Sequence, residues 1–251
     1  MILAGLALAV AGGARGAEPV ELRMSAAASL RDALDELAPA LERATGARLA
    51  LNLGASSDLA RQIVAAAKVD LFLSADEAWM DHLAANGLVD AGSRCSPLSN
   101  RLVVVVPADR ALAVRSARDL AGPAVRRLSL AQPETVPAGR YAKAWLESQG
   151  VWDEVAARVV PALDVRAALA AVESGAIDAG IVYRTDAARS SRARIAFEVP
   201  AGEGPEISYA LAAIAGRPEL DLARRVVAWL AGSEAASVFE RHGFVVRPGA
   251  P

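Results

Sequence analysis

The chain alternates short apolar runs with longer segments in which apolar residues recur at a helical spacing. From position 20 onwards this pattern is typical of βα units, in which a buried strand is followed by a helix that covers the sheet. It predicts strands at 20–24, 48–53, 70–74, 101–107, 127–131, 179–183, 194–199 and 207–215. It predicts helices at 30–44, 58–67, 77–85, 139–149, 165–174, 218–230 and 234–241. The fold class is therefore α/β, with largely parallel sheets flanked by helices.

Two segments rich in turn-forming residues interrupt this pattern, SPLSN at 96–100 and PAGEGP at 200–205. Each precedes an apolar run that predicts a strand. If the chain crosses between two lobes at both breaks, its middle part forms one lobe and its two ends form the other. We therefore expect lobe 1 at 17–98 plus 201–251 and lobe 2 at 99–200. Within lobe 1, Pro39 is expected to kink or split the first helix, because proline removes a backbone hydrogen bond.

Residues 1–11, MILAGLALAVA, form an apolar run that is too short to span a bilayer. Such a run is typical of the core of a signal peptide, and the small residues of Ala14-Arg15-Gly16 predict cleavage after Gly16. We therefore expect residues 1–16 to be removed and the protein to be exported. No Lys or Arg precedes the run, so either the true start lies upstream or the signal is weak. The alternative interpretation is a first buried strand or helix.

Composition and charge narrow the classes of function. Hydrophobic residues make up 54% of the 251 residues and charged residues 22%, which excludes a disordered chain. With 27 basic and 29 acidic residues the net charge is −2, so no positive field is available to attract nucleic acid. The single cysteine, Cys95, excludes an internal disulfide, and His82 and His242 lie far apart along the chain. No metal centre is expected.

Several predicted helices begin with small or hydroxyl-bearing residues shortly after a strand. They include Ser29 in AAASL, Ser56 and Ser57 in ASSDLARQI, Ala138 in VPAG and Val165 in DVR. The first N–H groups of a helix have no partner within it, and the helix dipole adds partial positive charge there, so these ends attract anions. In an open α/β sheet such turns can converge on one cleft. A single serine at a helix start usually serves as a cap, but the number of these starts favours an anion site.

A series of motifs in chain order closely resembles the substrate-binding component of bacterial molybdate ABC transporters. The motifs are AAASL, ASSDLARQI, DLFLSADEAWMD, VPAGRYAKAWL, DVRAALAAVESG and GIVYRTDA, and the resemblance extends from Leu22 to Phe244. It implies a two-lobed periplasmic-binding-protein fold of type II that holds molybdate or tungstate in the cleft between the lobes. It also implies a periplasmic location, a membrane permease as partner, no cofactor and no enzymatic activity. We expect a monomer.

The resemblance also implies which residues contact the oxyanion. Carried over motif by motif, these contacts fall on Ser29, Ser56, Ala138, Val165 and Tyr183. The Ser and Tyr hydroxyls and backbone N–H groups, including those of the Ala and Val, would be the donors. Relatives often carry another Ser before the ASS segment and a Thr after it, so whether Ser57 shares the role of Ser56 is left open.

The chemistry of the ligand agrees with such a set of donors. Molybdate at neutral pH is a fully deprotonated dianion that only accepts hydrogen bonds. Hydroxyl and backbone N–H donors can bind it without the cost of burying a lone Lys or Arg. Tyr183 also has a purely structural interpretation, as an aromatic residue that closes the end of a core strand. Asp58 and Asp164 are interpreted as helix caps or first-turn residues rather than ligand contacts.

Arginines follow the motifs at Arg31, Arg61, Arg140, Arg166 and Arg184. Most of them are expected to be solvated, while one or two at the rim of the cleft would steer an anion or lock the closed lobes.

Two other classes of function fit parts of the pattern. A serine hydrolase would use Ser29 or Ser56, but neither lies in a G-x-S-x-G motif and only two histidines are present to act as base. The effector domain of a transcription regulator can share the two-lobed fold, but the apolar start favours export and no helix-turn-helix segment precedes the motifs. The leading interpretation is a non-enzymatic protein that delivers an oxyanion to a permease.

Overall fold

The computed structural model describes residues 18–66 and 68–247, so the predicted signal peptide at 1–16 lies outside the described residues. The strands are β1 Val20–Ala27, β2 Ala47–Gly54, β3 Leu71–Ser74, β4 Cys95–Ser99, β5 Leu102–Pro107, β6 Leu128–Ala131, β7 Val159–Ala162, β8 Ala179–Tyr183, β9 Ala193–Glu198, β10 Tyr209–Ala213 and β11 Val245–Val246. The helices are α1 Arg31–Thr45, α2 Ser56–Ala66, α3 Glu77–Ala85, α4 Ala117–Leu120, α5 Pro137–Ser148, α6 Trp152–Val155, α7 Val165–Glu173, α8 Arg184–Ala187, α9 Leu220–Leu230 and α10 Ser233–Arg241. Short 3₁₀ turns lie at Ala28–Leu30, Ala91–Ser93 and Ala156–Arg158.

The strands form two mixed sheets, one in each lobe of a two-lobed α/β fold. The first has the order β11-β4-β10-β3-β1-β2 and the second has the order β7-β6-β8-β5-β9. β1 runs parallel to β2 and β3, and β6 runs parallel to β7 and β8. The remaining pairings are antiparallel. The fold class is confirmed, but the sheets are less parallel than expected. Each of these antiparallel pairings involves β4, β5 or β10, which flank the two crossings between the sheets.

Helices cover both faces of the first sheet, and the strands alternate accordingly. In β3, Leu71 and Leu73 belong to one apolar cluster with α1, α9 and α10, while Phe72 belongs to a second cluster with α2 and α3. β10 divides in the same way between Leu211 and Ala212. Because successive side chains of a strand point to opposite faces, a strand covered on both sides becomes apolar throughout. This explains why these strands appear in the sequence as continuous apolar runs.

Of the two expectations for Pro39, a kink or a split, the split is wrong, because α1 is continuous from Arg31 to Thr45. Leu34, Leu37 and Leu41 lie on its buried face and are at most 1% exposed. A proline in a helix interior costs about 3 kcal/mol, whereas burying each leucine contributes about 1.5–3 kcal/mol. Packing on both sides of the proline therefore outweighs the missing hydrogen bond.

The sequence pattern missed β4, β7 and β11 as well as the three four-residue helices α4, α6 and α8. β4 contains Pro97 and β7 contains Pro161, and proline argues against a strand because it cannot donate to the ladder. β7 is an edge strand, where a missing donor is tolerated. In β4 the carbonyl of Pro97 accepts from the Arg247 N–H at 2.9 Å. The predicted break at 96–100 is thus mostly strand.

The chain passes from the first sheet to the second between β4 and β5, and it returns between β9 and β10. The predicted lobe limits, 17–98 plus 201–251 and 99–200, stay a prediction that this strand order supports. Among the described residues, no helix has the length and apolar character needed to cross a bilayer.

The start of α5 lies against the end of β6 with no room for a side chain at Gly139. A Cβ there would stand 2.1 Å from the carbonyl oxygen of Ala131 and 2.7 Å from that of Gln132. Both oxygens belong to the backbone, so neither can rotate away. The position of the first turn of α5 therefore depends on the absence of a side chain.

We expect Gly139→Ala to displace this turn and to lower the free energy of unfolding by about 1–3 kcal/mol, the usual cost of overpacking. Urea unfolding followed by circular dichroism measures the change. Gly92→Ala is the matched control, since the nearest atom to a Cβ at that position is 4.0 Å away. Equal stabilities of the two variants would contradict this account of the packing.

Candidate functional site

A small cavity lies where the carboxyl ends of the parallel strands of both sheets meet. The turns after β1, β2 and β3 line it from one lobe, and the turns after β6 and β7 together with the end of β8 line it from the other. The structure brings the five sequence-predicted residues together around this cavity: Ser29, Ser56, Ala138, Val165 and Tyr183. Each of the five is buried.

Strand register brings the two serines to the same edge of the first sheet. β1 and β2 pair in parallel from Val20 opposite Ala47 to Ala27 opposite Gly54, so the chain leaves both strands at the same level. Ser29 follows in the 3₁₀ turn Ala28–Leu30, and Ser56 is the first residue of α2. Small residues, including Ala28, Ala55 and Ala75, line the cavity beside them. A ligand can therefore approach the backbone closely on this side.

The second lobe contributes the N-termini of two helices. α5 begins at Pro137, and its N-cap residue, Val136, provides no side-chain hydrogen bond to the helix. The N–H of Ala138 thus lies in a first turn that has no side-chain cap. α7 begins at Val165, after the N-cap residue Asp164. The first N–H groups of a helix lack intrahelical acceptors, so both turns present donors at the cavity.

Hydrogen bonding within the first lobe determines the direction of the Ser56 hydroxyl. The Oγ of Ser56 accepts a hydrogen bond from the Ala75 N–H at 3.0 Å. An oxygen that accepts in this way keeps its own proton for another partner. Ser56 can therefore donate into the cavity. The Oγ of Ser29 lies 3.0 Å from the hydroxyl of Tyr209.

The hydroxyl of Tyr183 is buried, and it has no hydrogen-bond partner among the described residues. Burial is the largest cause that raises the pKa of Tyr183 well above its ordinary value, and the nearby Tyr209 adds to the effect. The phenol therefore stays protonated and acts as a donor. A buried polar group without a partner costs about 1–3 kcal/mol, so a ligand that accepts its proton would recover that energy.

Asp164 is the charged side chain among the described residues that line the cavity. Its Oδ1 accepts from the Ala167 N–H at 2.8 Å, so the carboxylate acts as a helix cap. Asp58 is half exposed in the first turn of α2, where it pairs with Arg61. The predicted roles of both aspartates in their helices are confirmed. The cavity thus offers mainly donors, an arrangement suited to a small anion that carries no proton.

Ion pairs join the two lobes beside the cavity. Arg140 Nη1 in α5 lies 2.9 Å from Asp76 Oδ2, and Arg166 Nη2 in α7 lies 2.5 Å from Asp32 Oδ2. Burial raises the pKa of Asp76, although the Trp79 N–H and the charge of Arg140 oppose this effect. Burial alone would also raise the pKa of Asp32, but its hydrogen bond with Arg166 and the Arg166 charge hold it below the ordinary value. Neither arginine lines the cavity.

Arg166 also contacts a buried carboxylate in its own lobe. Its Nε lies 2.5 Å from Oδ1 of Asp186, a residue of α8 that is 0% exposed. Burial raises the pKa of Asp186 to about 7, although the charge of Arg166 opposes this rise. Arg166 is therefore held between Asp32 of one lobe and Asp186 of the other. This contact fixes the first turn of α7, in which Val165 lies.

Tyr209 is a residue of the site region that sequence reasoning missed. It is fully buried in β10 and contacts Ser29, from which it is separated by 180 positions along the chain. No local pattern predicts a contact at this separation. Ser57 is buried next to Ser56 and does not line the cavity, and its hydroxyl has no hydrogen-bond partner among the described residues.

Two lobes that enclose a small cavity lined by helix N-termini define a solute-binding protein. The chain belongs to the family of bacterial extracellular solute-binding proteins, whose model matches residues 22–245. It is 36% identical to the molybdate-binding protein ModA of Escherichia coli over 97% of this chain and 96% of that protein. It is also 36% identical to the putative ABC transporter substrate-binding lipoprotein YvgL of Bacillus subtilis, over 90% of this chain and 86% of that protein. The solved structure of the Azotobacter vinelandii periplasmic molybdate-binding protein is similar, with a TM-score of 0.80 and 26% identity over 90% of this chain and 99% of that one.

The raised pKa of Asp186 predicts a dependence of stability on pH. Because its value of about 7 in the folded protein exceeds the ordinary 3.8, the folded state binds a proton that the unfolded chain releases. The stability that this proton contributes is complete below about pH 4 and is lost as pH rises through about 7. Asp186→Asn does not titrate, so its free energy of unfolding relative to the wild type should rise between about pH 4 and pH 7.

Urea unfolding at a series of pH values measures this difference. Asp58→Asn is the control, since the Asp58 side chain is 50% exposed and the same substitution there leaves the core unchanged. A constant difference between Asp186→Asn and the wild type at every pH would show that the carboxyl does not titrate differently in the folded protein.

Proposed function

We propose that the protein binds molybdate, and tungstate in the same way, outside the cytoplasm and delivers it to the membrane permease of an ABC transporter. The observation that carries this proposal is the small cavity around which five buried residues from both lobes, with their hydroxyl and backbone N–H groups, come together. The names of the relatives in Escherichia coli and Azotobacter vinelandii support the choice of molybdate. We further propose that the protein acts as a monomer in the periplasm.

The proposed contacts are Ser29, Ser56, Ala138, Val165 and Tyr183. The free proton of Ser56, the buried hydroxyl of Tyr183 and the N-terminal turns of α5 and α7 support their role as donors. Bound between the lobes, the dianion would be matched by dipoles from both sides. Such a site avoids the desolvation cost of a lone buried cation.

Binding without catalysis is supported by the surroundings of the serines. A hydrolase would need a base within hydrogen-bond reach of its nucleophile. His242 contacts Glu36 through Nε2 at 2.6 Å, and neither His242 nor His82 lines the cavity. The hydroxyl oxygen of Ser56 accepts from a backbone N–H rather than donating to a histidine.

Protonation and size would set the selectivity. Phosphate near neutral pH keeps at least one proton, which needs an acceptor, and the cavity consists mainly of donors. We expect this mismatch to cost about 1–3 kcal/mol. Sulfate carries no proton, so only its shorter bonds would exclude it, by leaving some donors out of reach. This size discrimination is an expectation from the family resemblance.

Competition calorimetry at neutral pH with molybdate, tungstate, sulfate and phosphate tests the proposal. Molybdate and tungstate should bind with much higher affinity than sulfate and phosphate. Phosphate binding as tight as molybdate binding would mean that an acceptor such as Asp164 reaches the ligand, and the donor site would be wrong. No binding of any of the four oxyanions would refute the proposed function itself.

Removal of single donors tests the proposed contacts. Ser29→Ala, Ser56→Ala and Tyr183→Phe each remove one hydrogen bond to a charged ligand, so each should cost about 1.5–3 kcal/mol, or about ten- to a hundredfold in molybdate affinity. Titration calorimetry measures the loss. Ser57→Ala is the matched control, because this serine is equally buried beside Ser56 but does not line the cavity. Wild-type affinity in all three variants would refute the assignment.

A further inference from the structure

A chain of hydrogen bonds connects the crossing between the lobes with Ser29. Asn100 lies at this crossing, between β4 and β5, and its Oδ1 accepts from the Arg101 N–H at 2.9 Å. This bond fixes which end of the amide is the carbonyl. The Nδ2 of Asn100 then donates to the Tyr209 hydroxyl at 3.1 Å and to Thr185 Oγ1 at 3.0 Å. Asn100 therefore contacts both lobes and can only donate to Tyr209.

The donation from Asn100 determines the direction of the next bond. A phenol has one proton, and burial raises the pKa of Tyr209 above its ordinary value, so that proton stays in place. The Oγ of Ser29 lies 3.0 Å from this hydroxyl, and the distance alone allows either oxygen to be the donor. In the reverse arrangement, Tyr209 would accept from both neighbours and its own proton would be buried without a partner, at a cost of about 1–3 kcal/mol. Tyr209 thus donates to Ser29.

We propose that Tyr209 and Asn100 are positioning residues that direct the Ser29 proton to the bound anion and thereby favour oxyanions that carry no proton. The Tyr209 proton occupies one of the two acceptor positions of the Ser29 oxygen and leaves the Ser29 proton for the cavity. Toward the ligand the side chain is therefore a better donor than acceptor. This inference rests on the proposed function, since it concerns the selectivity of the same cavity. Neither Tyr209 nor Asn100 lines the cavity.

Removal of the Tyr209 hydroxyl should change selectivity as well as affinity. In Tyr209→Phe the Ser29 hydroxyl rotates freely, so it loses its fixed donor direction and can accept a proton from hydrogen phosphate. Calorimetry at neutral pH should show that the affinities for molybdate and for sulfate each fall by about three- to tenfold. The affinity for phosphate should fall less. The ratio of molybdate affinity to phosphate affinity therefore decreases, while the ratio of molybdate affinity to sulfate affinity stays unchanged.

Tyr141→Phe is the control for the loss of a tyrosine hydroxyl at a partly buried position between the lobes. Tyr141 lies at the cleft between the lobes, where its hydroxyl is 3.5 Å from the Ser208 N–H, and it does not line the cavity. All three affinities should stay at the wild-type level. If Tyr209→Phe instead lowers the affinities for molybdate, sulfate and phosphate by the same factor, the tyrosine has only a structural role and the proposal is overturned.

A double-mutant cycle shows whether Tyr209 acts through Ser29. In the Ser29→Ala background the oxygen that Tyr209 orients is gone, so Tyr209→Phe should cause no further loss of molybdate affinity. If the fold-losses of molybdate affinity in the two single variants multiply in the double variant, the proposal is overturned. Agreement with the cycle and with the change in selectivity would support it, because a merely structural role predicts neither result.

Neutron diffraction from crystals of the deuterated protein tests the bond direction without any ligand. The deuterium of Tyr209 should lie on the line to Ser29 Oγ, and the deuterium of Ser29 should point into the cavity. A Ser29 deuterium directed at Tyr209 would overturn the proposal even where molybdate binds tightly. Conversely, if molybdate does not bind to the wild type, the proposed function fails and the neutron map still decides the direction of the bond.

Discussion

The structure depends on one geometric constraint, that the parallel strands of both sheets direct their carboxyl ends at the same space. A helix that follows such a strand begins at this edge, so its free N–H groups and the positive end of its dipole face the cavity. α2, α5 and α7 all begin there, and the 3₁₀ turn before α1 does so as well. The anion site is therefore a product of the chain path, and the side chains only complete it.

In this arrangement the basic side chains lie outside the cavity. Basic side chains stand at the rim, where Arg140 and Arg166 are neutralised by carboxylates of the opposite lobe. The cavity itself is lined by small residues and donors, with Asp164 bound to its own helix. A buried cation would bind an anion more strongly but would cost several kcal/mol of desolvation whenever the site is empty. Dipoles and hydroxyls avoid this cost and permit release.

The sequence predicts the elements that form the site better than the contacts between them. The starts of α2 and α7 lie within two residues of their predicted positions, because a hydroxyl or an aspartate beside an apolar run is a strong local signal. All five predicted ligand residues meet at one cavity because the motif resemblance carries information about the whole fold. β4 and β7 were missed because their prolines mask paired strands. The contact of Tyr209 with Ser29 follows only from the tertiary fold.

The ion pairs across the cleft have the same polarity, since Asp32 and Asp76 belong to the lobe of β1 whereas Arg140 and Arg166 belong to the other. The facing rims are therefore oppositely charged. Dispersion forces and hydrogen bonds act only at contact, but this attraction extends over roughly a Debye length, about 8 Å at physiological ionic strength. Electrolyte would thus set how strongly the two rims attract each other whenever they are apart. In a compartment whose salinity follows the surroundings of the cell, we expect the rate of capture to vary with the medium while the bound geometry stays constant.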